Sequence, residues 1–419
     1  MNVLVVGGGG REHAICTALA KSPRVDKLYC APGNGGISDL AECVPVKATD
    51  IDGMLRTVKE LGVDFVVVAP DDPLALGMVD AFEKAGIPAF GPRQNAAIIE
   101  SSKVFSKNLM QKYGIPTAEY RTFDDMAEAL AYIDEKGAPI VVKADGLALG
   151  KGVVVAASVD EAKTAVREMM QDGKFGASGS RVVIEEFMTG PEVTVLCFTD
   201  GKTISPMLSS QDHKRAFDND EGPNTGGMGA VCPTPNYTAE IADECMKKIF
   251  RPTVDAMNAE GRIFKGVLYF GLMLTPNGPK VVEYNARFGD PETQPILSML
   301  ETDLMDIFEA VVNETLDKLD IRWKPGAACC VVLASDGYPV AYKKGYEIHG
   351  LDSVPSDISV FHAGTEKRDG KYYTSGGRVL GVTARGAELA SAISRAYDGV
   401  KCISFENMHY RKDIGNKLI

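Results

Sequence analysis

The chain has 419 residues, of which 45% are apolar and 24% are charged, and its formal net charge is -12. This length exceeds what one ordinary hydrophobic core holds, so we expect about two to four domains with the composition of a soluble globular protein. The acidic balance argues against a nucleic-acid partner and against an anionic membrane surface, whereas local lysines and arginines still allow small anionic substrates.

Nine cysteines are scattered along the chain without a C-x-x-C pair or a Cys/His spacing typical of zinc sites. They predict buried thiols in a reducing compartment. Residues 1–6 form a short apolar run without a basic flank, and no apolar run approaches the length of a membrane span. The sequence therefore predicts a cytoplasmic protein.

Residues 2–6 predict a buried strand, which is followed by four glycines and by a helical pattern at residues 11–20. A glycine loop between a strand and a helix binds anions, because backbone N–H groups and the helix N-terminus point at one place. Glu12 occupies the position of the third glycine in the dinucleotide motif, so the loop favours a monophosphate over NAD. A tight turn without a ligand is the alternative.

Further strands at residues 27–30 and 64–70 alternate with helical segments at residues 51–61 and 74–85. This alternation predicts a doubly wound parallel sheet. Its ligands are expected at the carboxyl ends of the strands, where the loop that carries Asn34 lies.

Residues 139–157 predict a hairpin with Lys143 on its first strand and a glycine-rich loop at residues 146–152. The loop differs from a Walker A element, because its first glycine is displaced by one position and a strand rather than a helix follows it. We expect it to fold over a nucleotide, with Lys143 reaching the phosphates. The alternative is a solvated turn with Lys143 extending from a sheet edge.

A strand at residues 181–187 carries Glu185 and Glu186 and ends near Phe187, and Glu192 follows shortly after it. In a nucleotide site, the backbone at residues 186–188 would contact the adenine edge and Glu192 would contact a ribose hydroxyl. A strand that ends in solvated acids is the alternative.

Residues 211–230 form a long polar stretch that contains four glycines together with Asp212 and Lys214. Long ordered loops of this kind usually have a function, and disorder is the alternative. Met228, Ala230 and Val231 favour order, because they give the stretch apolar anchors.

Apolar residues at 266–274 and 280–284 predict a β-hairpin whose second strand leads into Glu283, Asn285 and Arg287. Alternate residues of a strand share a face, so these three side chains point the same way. A carboxylate and an amide oxygen suit Mg²⁺ bound to a nucleoside triphosphate, and the guanidinium suits a carboxylate or a phosphate. A half-buried strand with a polar outer face is the alternative, which the two carboxylates in the turn at residues 289–292 disfavour.

The remaining segments predict a helix at residues 241–259 with a kink at Pro252, and a third region beyond residue 323. In that region we expect a strand at residues 327–334, a helix at residues 387–398 and a last strand at residues 401–405.

Together these segments resemble the ATP-grasp pattern, and they are most similar to the glycinamide ribonucleotide synthetase family, also called phosphoribosylamine-glycine ligases, of purine biosynthesis. The segments that carry the resemblance are residues 8–14, 31–34, 143–148, 222–229, 287–292 and 375–380. Asp71 and Asp72 depart from the family, which usually has a glutamate there. Gly271 stands where many ATP-grasp enzymes have an acidic metal ligand.

The resemblance covers essentially the whole chain and implies an α/β and α+β multidomain fold. Its parts would be an N-terminal doubly wound parallel-sheet (pre-ATP-grasp) domain at residues 1–102, a central ATP-grasp domain at residues 103–322, and a small mixed α/β C-terminal domain at residues 323–419. A lid with a glycine-rich hairpin would occupy about residues 123–192 of the central domain.

The resemblance also implies a reaction. The carboxylate of glycine would attack the γ-phosphate of ATP to give glycyl phosphate and ADP, and the amine of 5-phosphoribosylamine would then displace phosphate to give glycinamide ribonucleotide. The implied partners are these small molecules with Mg²⁺ or Mn²⁺, without nucleic acid, membrane or a stable protein partner. The protein would be a monomer or a small homo-oligomer.

The roles that the resemblance implies fall into four groups. ATP would contact Lys103, Lys143, Gly150, Glu185, Glu186, Phe187 and Glu192, and the metal would bind Glu283 and Asn285. Asp212 would hold the glycine ammonium, Arg287 its carboxylate, and Lys214 the transferred phosphoryl group. The 5-phosphate would lie at Gly8, Gly9, Gly10 and Asn34.

Two other functions stay open at this point. One is an ATP-grasp ligase with biotin carboxylase-like or formate-using chemistry, against which the Asn224 and Arg287 motifs argue. The other is a non-catalytic nucleotide-binding or scaffold protein, against which the presence of Lys143 and Glu283 argues.

Overall fold

The computed structural model describes residues 1–147, 152–171 and 179–419. Gly150 and the middle of the expected glycine-rich loop therefore lie outside the described residues. No helix within the described ranges is long and apolar enough to cross a membrane.

The N-terminal part is a five-stranded parallel sheet in the order β3-β2-β1-β4-β5, as the alternation of strands and helices predicted. Its elements are β1 (Asn2–Gly7), α1 (Gly10–Leu19), β2 (Lys27–Pro32), β3 (Glu42–Cys43), α2 (Ile51–Leu61), β4 (Phe65–Val68), α3 (Asp71–Ala75), α4 (Met78–Lys84), β5 (Ala89–Phe90) and α5 (Gln94–Ser101). The single helix expected at residues 74–85 is two helices, because Gly77 adopts a left-handed conformation between them.

The second part packs two helices against a sheet in the order β6-β9-β7-β8 and has a hydrophobic core of its own. Its elements are α6 (Lys103–Tyr113), β6 (Tyr120–Phe123), α7 (Met126–Lys136), β7 (Ile140–Ala144), β8 (Val153–Ala156), α8 (Val159–Met170) and β9 (Val182–Glu186), of which α6 leads in from the first part. Strands β7 and β8 pair antiparallel, so the expected hairpin is present on both sides of the loop.

The third part is built on an antiparallel sheet in the order β11-β10-β16-β17. The elements in this stretch of the chain are β10 (Glu192–Thr199), β11 (Ile204–Pro206), β12 (Gln211–Asp212), β13 (Arg215–Phe217), β14 (Glu221–Asn224), β15 (Gly229–Cys232), α9 (Ala239–Cys245), α10 (Arg251–Ala259), β16 (Gly266–Thr275), β17 (Gly278–Asn285), α11 (Thr293–Ser298) and α12 (Leu304–Val312). A π-helical turn, Met246–Phe250, separates α9 from α10. The interruption lies just before Pro252, which lacks the N–H that a continuous helix needs.

The last part is an antiparallel sheet with a long helix packed against it. Its elements are β18 (Ala327–Ser335), β19 (Ser359–His362), β20 (Thr365–Arg368), β21 (Lys371–Thr374), β22 (Arg378–Gly386), α13 (Leu389–Cys402) and β23 (Met408–His409). The strand expected at residues 401–405 is wrong, because α13 continues to Cys402. Its buried residues Ala392, Ala396 and Val400 recur every four positions, which keeps one face of the helix on the sheet.

The long polar stretch at residues 211–230 is ordered and joins the last sheet rather than the third one. Strand β12 pairs with β15, and β15 pairs with β18, so the order is β12-β15-β18-β22-β19, with β23 also on β18. Met228, Ala230 and Val231 are fully buried, as the expected apolar anchors. The segment that carries Asp212 and Lys214 is therefore held by strands from a distant part of the chain.

An aromatic cluster joins the first and third parts beneath the end of β17. The rings of Phe90 and Phe308 lie 4.0 Å apart, and Phe288 lies 6.2 Å from Phe308 and 6.0 Å from Phe198. Because Phe288 directly follows Arg287, this shared core fixes the backbone from which Arg287 projects.

Replacing Phe308 with alanine removes a fully buried ring from this core. We expect a loss of about 3–5 kcal/mol in the free energy of unfolding, because a cavity adds to the lost burial of apolar surface. Urea unfolding followed by circular dichroism measures it, with Val340→Ala, at a side chain that is 82% exposed, as the control. A midpoint equal to that of the control would show that the cluster does not hold these two parts together.

Candidate active site

The end of β17 brings together the side chains that strand periodicity grouped. Arg287 Nη2 donates to Asn285 Oδ1 at 3.2 Å and forms an ion pair with Glu100 Oε1 at 3.1 Å. The other oxygen of Glu100 accepts the N–H of Ala286 at 2.7 Å. Burial raises the pKa of Glu100, and the charge of Arg287 opposes this. Arg287 is thus oriented by a carboxylate from α5 that the sequence analysis did not identify.

Glu283 lies on the same face, opposite Gly271 of the neighbouring strand. A Cβ atom at Gly271 would lie 3.1 Å from Glu283 Cγ, and a β-bulge begins beside this pair. Glycine therefore leaves the space that the carboxylate occupies. Burial disfavours the charged form of Glu283, but nearby lysines, Lys214 foremost, outweigh it and lower the pKa of the carboxyl. An ionised carboxylate faces the site.

Two lysines and one glutamate form a buried charged cluster between α6, β7 and β9. Lys143 Nζ lies 3.0 Å from Glu185 Oε2 and donates to the carbonyl of Val282 at 3.1 Å. Lys107 Nζ lies 3.2 Å from the other oxygen, Glu185 Oε1. Burial lowers the pKa of Lys107 to about 8, although the charge of Glu185 acts the other way.

The other side chains expected at ATP surround this cluster. Lys103, at the start of α6, donates to the carbonyl of Gly146 at 2.9 Å, and burial lowers its pKa. Glu186 forms an ion pair with Lys280 at 2.9 Å. Phe187 is one of the few large apolar side chains that is exposed, at 42%. An exposed aromatic ring suits a nucleotide base, and buried cations suit phosphates.

A small cavity lies between the sheet of β10, β16 and β17 and the polar stretch at residues 211–230. Its volume is about 10 Å³, the size of one water molecule, and its lining includes Glu192, Asp212, Lys214 and Tyr269. Lys214 Nζ lies 3.0 Å from Glu192 Oε2 and 3.9 Å from Glu283 Oε1. The charge of Glu192 is the largest of the influences that raise the pKa of Lys214 well above its usual value.

Asp212 is a carboxyl group that forms no salt bridge with a cation of the described residues, although the charges of Lys214 and Arg378 act on it. Its Oδ1 atom is buried and has no hydrogen-bond partner within the described part of the chain. Burial, reinforced by the charge of Glu292, raises the pKa of Asp212 well above the usual range. Glu292 Oε1 accepts the hydroxyl of Tyr269 at 3.0 Å. An entering cation would restore the ionised form of Asp212, so the site favours an ammonium group at this point.

The glycine loop before α1 lies beside the turn that follows Arg287. The N–H of Gly9 donates to Glu12 Oε2 at 2.5 Å, and the N–H of Arg11 donates to Asp290 Oδ2 at 3.3 Å. Burial disfavours the charge of Asp290, but Arg378 and Arg11 outweigh it and lower the pKa of the carboxyl. Two backbone amides at the start of α1 are thus already bonded to carboxylates of the chain.

Asn34 connects this loop to the last sheet. Its amide nitrogen donates to the carbonyls of Gly8 at 2.9 Å and His362 at 2.7 Å, and its Oδ1 accepts the N–H of Gly36 at 3.0 Å. A Cβ atom at Gly8 would lie 2.3 Å from the carbonyl oxygen of Gly33, so the two loops can approach this closely only with glycine at that position. The side chain of Asn34 therefore orients backbone around the loop.

The structure brings most of the expected residues to one region, and it adds partners that the sequence analysis missed. The missed side chains include Glu100, Lys107 and Lys280, which pair with Arg287, Glu185 and Glu186. Tyr269 lines the cavity beside Asp212 and Lys214. Lys107 left one usable signal, because it stands four residues after Lys103 and shares its helix face. Glu100 left none, since its partner lies 187 positions away in Arg287. Gly150 lies outside the described residues.

These features define an ATP-grasp enzyme. Family models described as the phosphoribosylglycinamide synthetase N domain, ATP-grasp (A) domain and C domain match residues 1–100, 101–293 and 328–417. The chain therefore belongs to the phosphoribosylglycinamide synthetase family, which uses ATP. The family and the fold class expected from the sequence are confirmed.

Known relatives cover the whole chain. A phosphoribosylamine–glycine ligase from Caldanaerobacter subterraneus subsp. tengcongensis is 49% identical over 414 residues, which cover 99% of both chains. One from Listeria innocua serovar 6a is 49% identical over 420 residues and covers 100% of both.

Solved structures are also similar to this chain. The phosphoribosylamine–glycine ligase of Thermotoga maritima has a TM-score of 0.84 at 33% identity, over 99% of this chain and 100% of that chain. The biotin carboxylase domain of the Hydrogenobacter thermophilus 2-oxoglutarate carboxylase, solved with MgADP and bicarbonate, has a TM-score of 0.74 at 15% identity, over 98% of this chain and 91% of that chain. The second likeness shows the shared fold.

Replacing Glu100 with glutamine keeps an acceptor for Ala286 but leaves the charge of Arg287 without its carboxylate. Because a buried charge that loses its partner is destabilised, we expect kcat/KM to fall about tenfold or more. Steady-state turnover measures this, with Glu83→Gln as the control, because Glu83 pairs with Arg93 at an exposed position. Equal kinetics in the two variants would mean that Glu100 does not orient Arg287.

Proposed function

We propose that this protein joins glycine to 5-phosphoribosylamine with ATP, giving glycinamide ribonucleotide, ADP and phosphate through glycyl phosphate, as a step of de novo purine biosynthesis. The observation that carries the proposal is the clustering of Glu283, Asn285 and Arg287 with buried lysines next to Asp212, in a chain of this family. Such a cluster provides cations for a polyphosphate and a carboxyl group for an ammonium in one site.

ATP is proposed to lie on the face of the sheet β9-β7-β8 that carries Lys143 and Glu185, with the hairpin of β7 and β8 folding over it. Its phosphates would contact Lys103, Lys143 and the backbone at Gly150, and its adenosine would contact Glu185, Glu186, Phe187 and Glu192. Lys143 supports this because it is buried and aimed between Glu185 and the carbonyl of Val282, within the strand pair that the loop connects.

Glu283 and Asn285 fit a divalent cation that is bound together with ATP. Glu283 carries an ionised carboxylate, and Asn285 presents an amide oxygen on the same face, which are the hard oxygen ligands that Mg²⁺ prefers. When bound, Mg²⁺ or Mn²⁺ would neutralise phosphate charge. Asn285 Oδ1 accepts a hydrogen bond from Arg287 Nη2, which fixes the orientation of the amide oxygen.

Glycine is proposed to lie between Asp212 and Arg287. Asp212 forms no salt bridge with a cation of the described residues, and an ammonium group would supply a direct partner. Arg287 Nε is a buried donor that has no hydrogen-bond partner within the described residues, so it remains available for a carboxylate. The carboxylate oxygen of glycine would attack the γ-phosphate there, while Lys214 offsets the charge that develops on the phosphoryl group.

5-Phosphoribosylamine is proposed to lie against the glycine loop, with its 5-phosphate near the backbone of Gly8, Gly9 and Gly10. Asn34 would act by holding this loop in place, since its side chain bonds to the carbonyl of Gly8. The amine would then attack the acyl carbon of glycyl phosphate, lose a proton and release phosphate. Catalysis on this account is positioning and charge neutralisation, without a covalent enzyme intermediate.

The proposed domain boundaries are residues 1–102, 103–322 with the lid at about 123–192, and 323–419. Strands β12 and β15 belong to the central segment of the chain but lie in the last sheet. Through them, the last domain supports the segment that carries Asp212 and Lys214.

Release of ADP and phosphate tests the proposed function. We would supply MgATP with glycine alone, with 5-phosphoribosylamine generated in situ alone, and with both. Turnover that requires both substrates and yields glycinamide ribonucleotide is the expected result. ATP binding without turnover on this substrate pair would overturn the proposal.

Replacing Glu283 with glutamine removes the anionic metal ligand but keeps its size. We expect turnover to fall about tenfold or more, and half-maximal activity to need more Mg²⁺, because a neutral amide binds a hard cation less well. A Mg²⁺ titration measures this, with Glu244→Gln as the control, since Glu244 pairs with Lys248 at the surface. An unchanged Mg²⁺ dependence would remove Glu283 from the metal site.

A further inference from the structure

Lys107 occupies a position in the molecule that no role proposed above explains. Its side chain is 3% exposed, and it pairs with Glu185, which is also 3% exposed. A lysine is seldom buried this deeply unless an opposite charge lies next to it. Glu185 already has a second lysine, Lys143, at its other oxygen. Two buried cations therefore share one buried carboxylate.

The two lysines differ in what else they can reach. Lys143 lies on β7, at the strand that leads into the glycine-rich loop, and its other partner is the carbonyl of Val282, one residue before Glu283. Lys107 instead donates to Thr117 Oγ1 at 2.7 Å, and Thr117 Oγ1 donates to the carbonyl of Val281 at 2.7 Å. Lys143 is thus beside the expected phosphates, and Lys107 is anchored behind it.

Glu185 depends on both lysines when ATP is absent. Its Oε1 atom is buried and makes no hydrogen bond within the described residues, so Lys107 is the cation that compensates it. If Lys143 turns toward a phosphate, Glu185 Oε2 loses its partner. A buried carboxylate without a cation is strongly disfavoured, so the exchange needs a second positive charge that stays in place.

We propose that Lys107 is a positioning residue for ATP, which keeps Glu185 charged and fixed while Lys143 leaves it to bind phosphate. Lys107 does not touch the nucleotide on this account. The inference rests on the proposed ATP site and adds the group that allows Lys143 to change partners.

The first test is nucleotide affinity, measured by titrating the full chain with MgADP. Lys107→Gln should raise Kd about tenfold or more and leave the KM for glycine within about twofold, because Lys143 stays paired with Glu185. Lys107→Arg should retain most of the affinity. The matched control is Lys112→Gln, on the same helix, where an exposed lysine pairs with Glu260. Wild-type affinity in Lys107→Gln would overturn the proposal.

A double-mutant cycle separates positioning from packing. If Lys107 acts through the charge of Glu185, then Lys107→Gln should change the MgADP Kd by less than about twofold when Glu185→Gln is already present. The full tenfold effect in that background would mean that Lys107 supports the fold alone. The proposed function is tested separately, by turnover of the wild type and of Lys112→Gln with both substrates. Failure of the proposed function would abolish this turnover, whereas failure of the proposal for Lys107 would leave it unchanged.

The pH dependence of binding in the wild type needs no variant that folds poorly. Charged or titratable groups face Lys107 from three neighbouring strands. They are Tyr120 on β6, Lys143 on β7, and Glu185 and Glu186 on β9. The Nζ atom of Lys107 lies 5.5 Å from the centre of the Tyr120 ring. Burial lowers the pKa of Lys107 to about 8, so its charge is present below this pH and is lost above it. MgADP affinity should therefore fall above about pH 8, and Lys107→Arg should move this loss to higher pH. A fall that is identical in Lys107→Arg would contradict the proposal.

Discussion

Lys107, Lys143 and Glu185 lie side by side with N–O distances of 3.2 and 3.0 Å, almost completely shielded from water. Because an unpaired ion in such a place is unstable by several kcal/mol, each charge requires the others. Arg287 and Glu100 form a second ion pair of this kind, with 3.1 Å between Nη2 and Oε1. These two groups of charges are thus compensated within the protein. In the proposed function, ATP and glycine bring charges of their own, and ATP would bind by exchanging partners with the pair of Lys143 and Glu185.

Polar contacts join the first, third and last parts of the molecule beside the proposed glycine site. Arg378, from the last sheet, donates to the carbonyls of Gly226 at 2.6 Å and Asp290 at 2.7 Å. Asp290 in turn accepts the N–H of Arg11 at the start of α1. These bonds tie the polar stretch, the turn after Arg287 and the glycine loop into one unit. The aromatic core under Phe288 supports it from below.

Local patterns in the sequence were sufficient to predict much of the fold and the grouping of several site residues. The period of two along β17 placed Glu283, Asn285 and Arg287 on one face, and strand–glycine–helix order identified the loop at Gly8. The errors and gaps concern contacts between distant segments. Nothing near Glu100 indicates a partner in another element. The spacing of Lys103 and Lys107 indicates a shared helix face, but it does not indicate the contact with Glu185. No local pattern tells that β12 and β15 join the last sheet. The strand expected at residues 401–405 failed because packing against the sheet extends α13.

In the proposed reaction, the glycine carboxylate takes the γ-phosphoryl group before the amine attacks. Glycine labelled with ¹⁸O in both carboxylate oxygens tests it directly, with the released phosphate analysed by mass spectrometry. The account predicts one ¹⁸O atom in each phosphate, because the acyl phosphate breaks at its C–O bond and the oxygen leaves with phosphorus. Phosphate without ¹⁸O would contradict an acyl phosphate intermediate and the arrangement of Asp212 and Arg287 proposed for it.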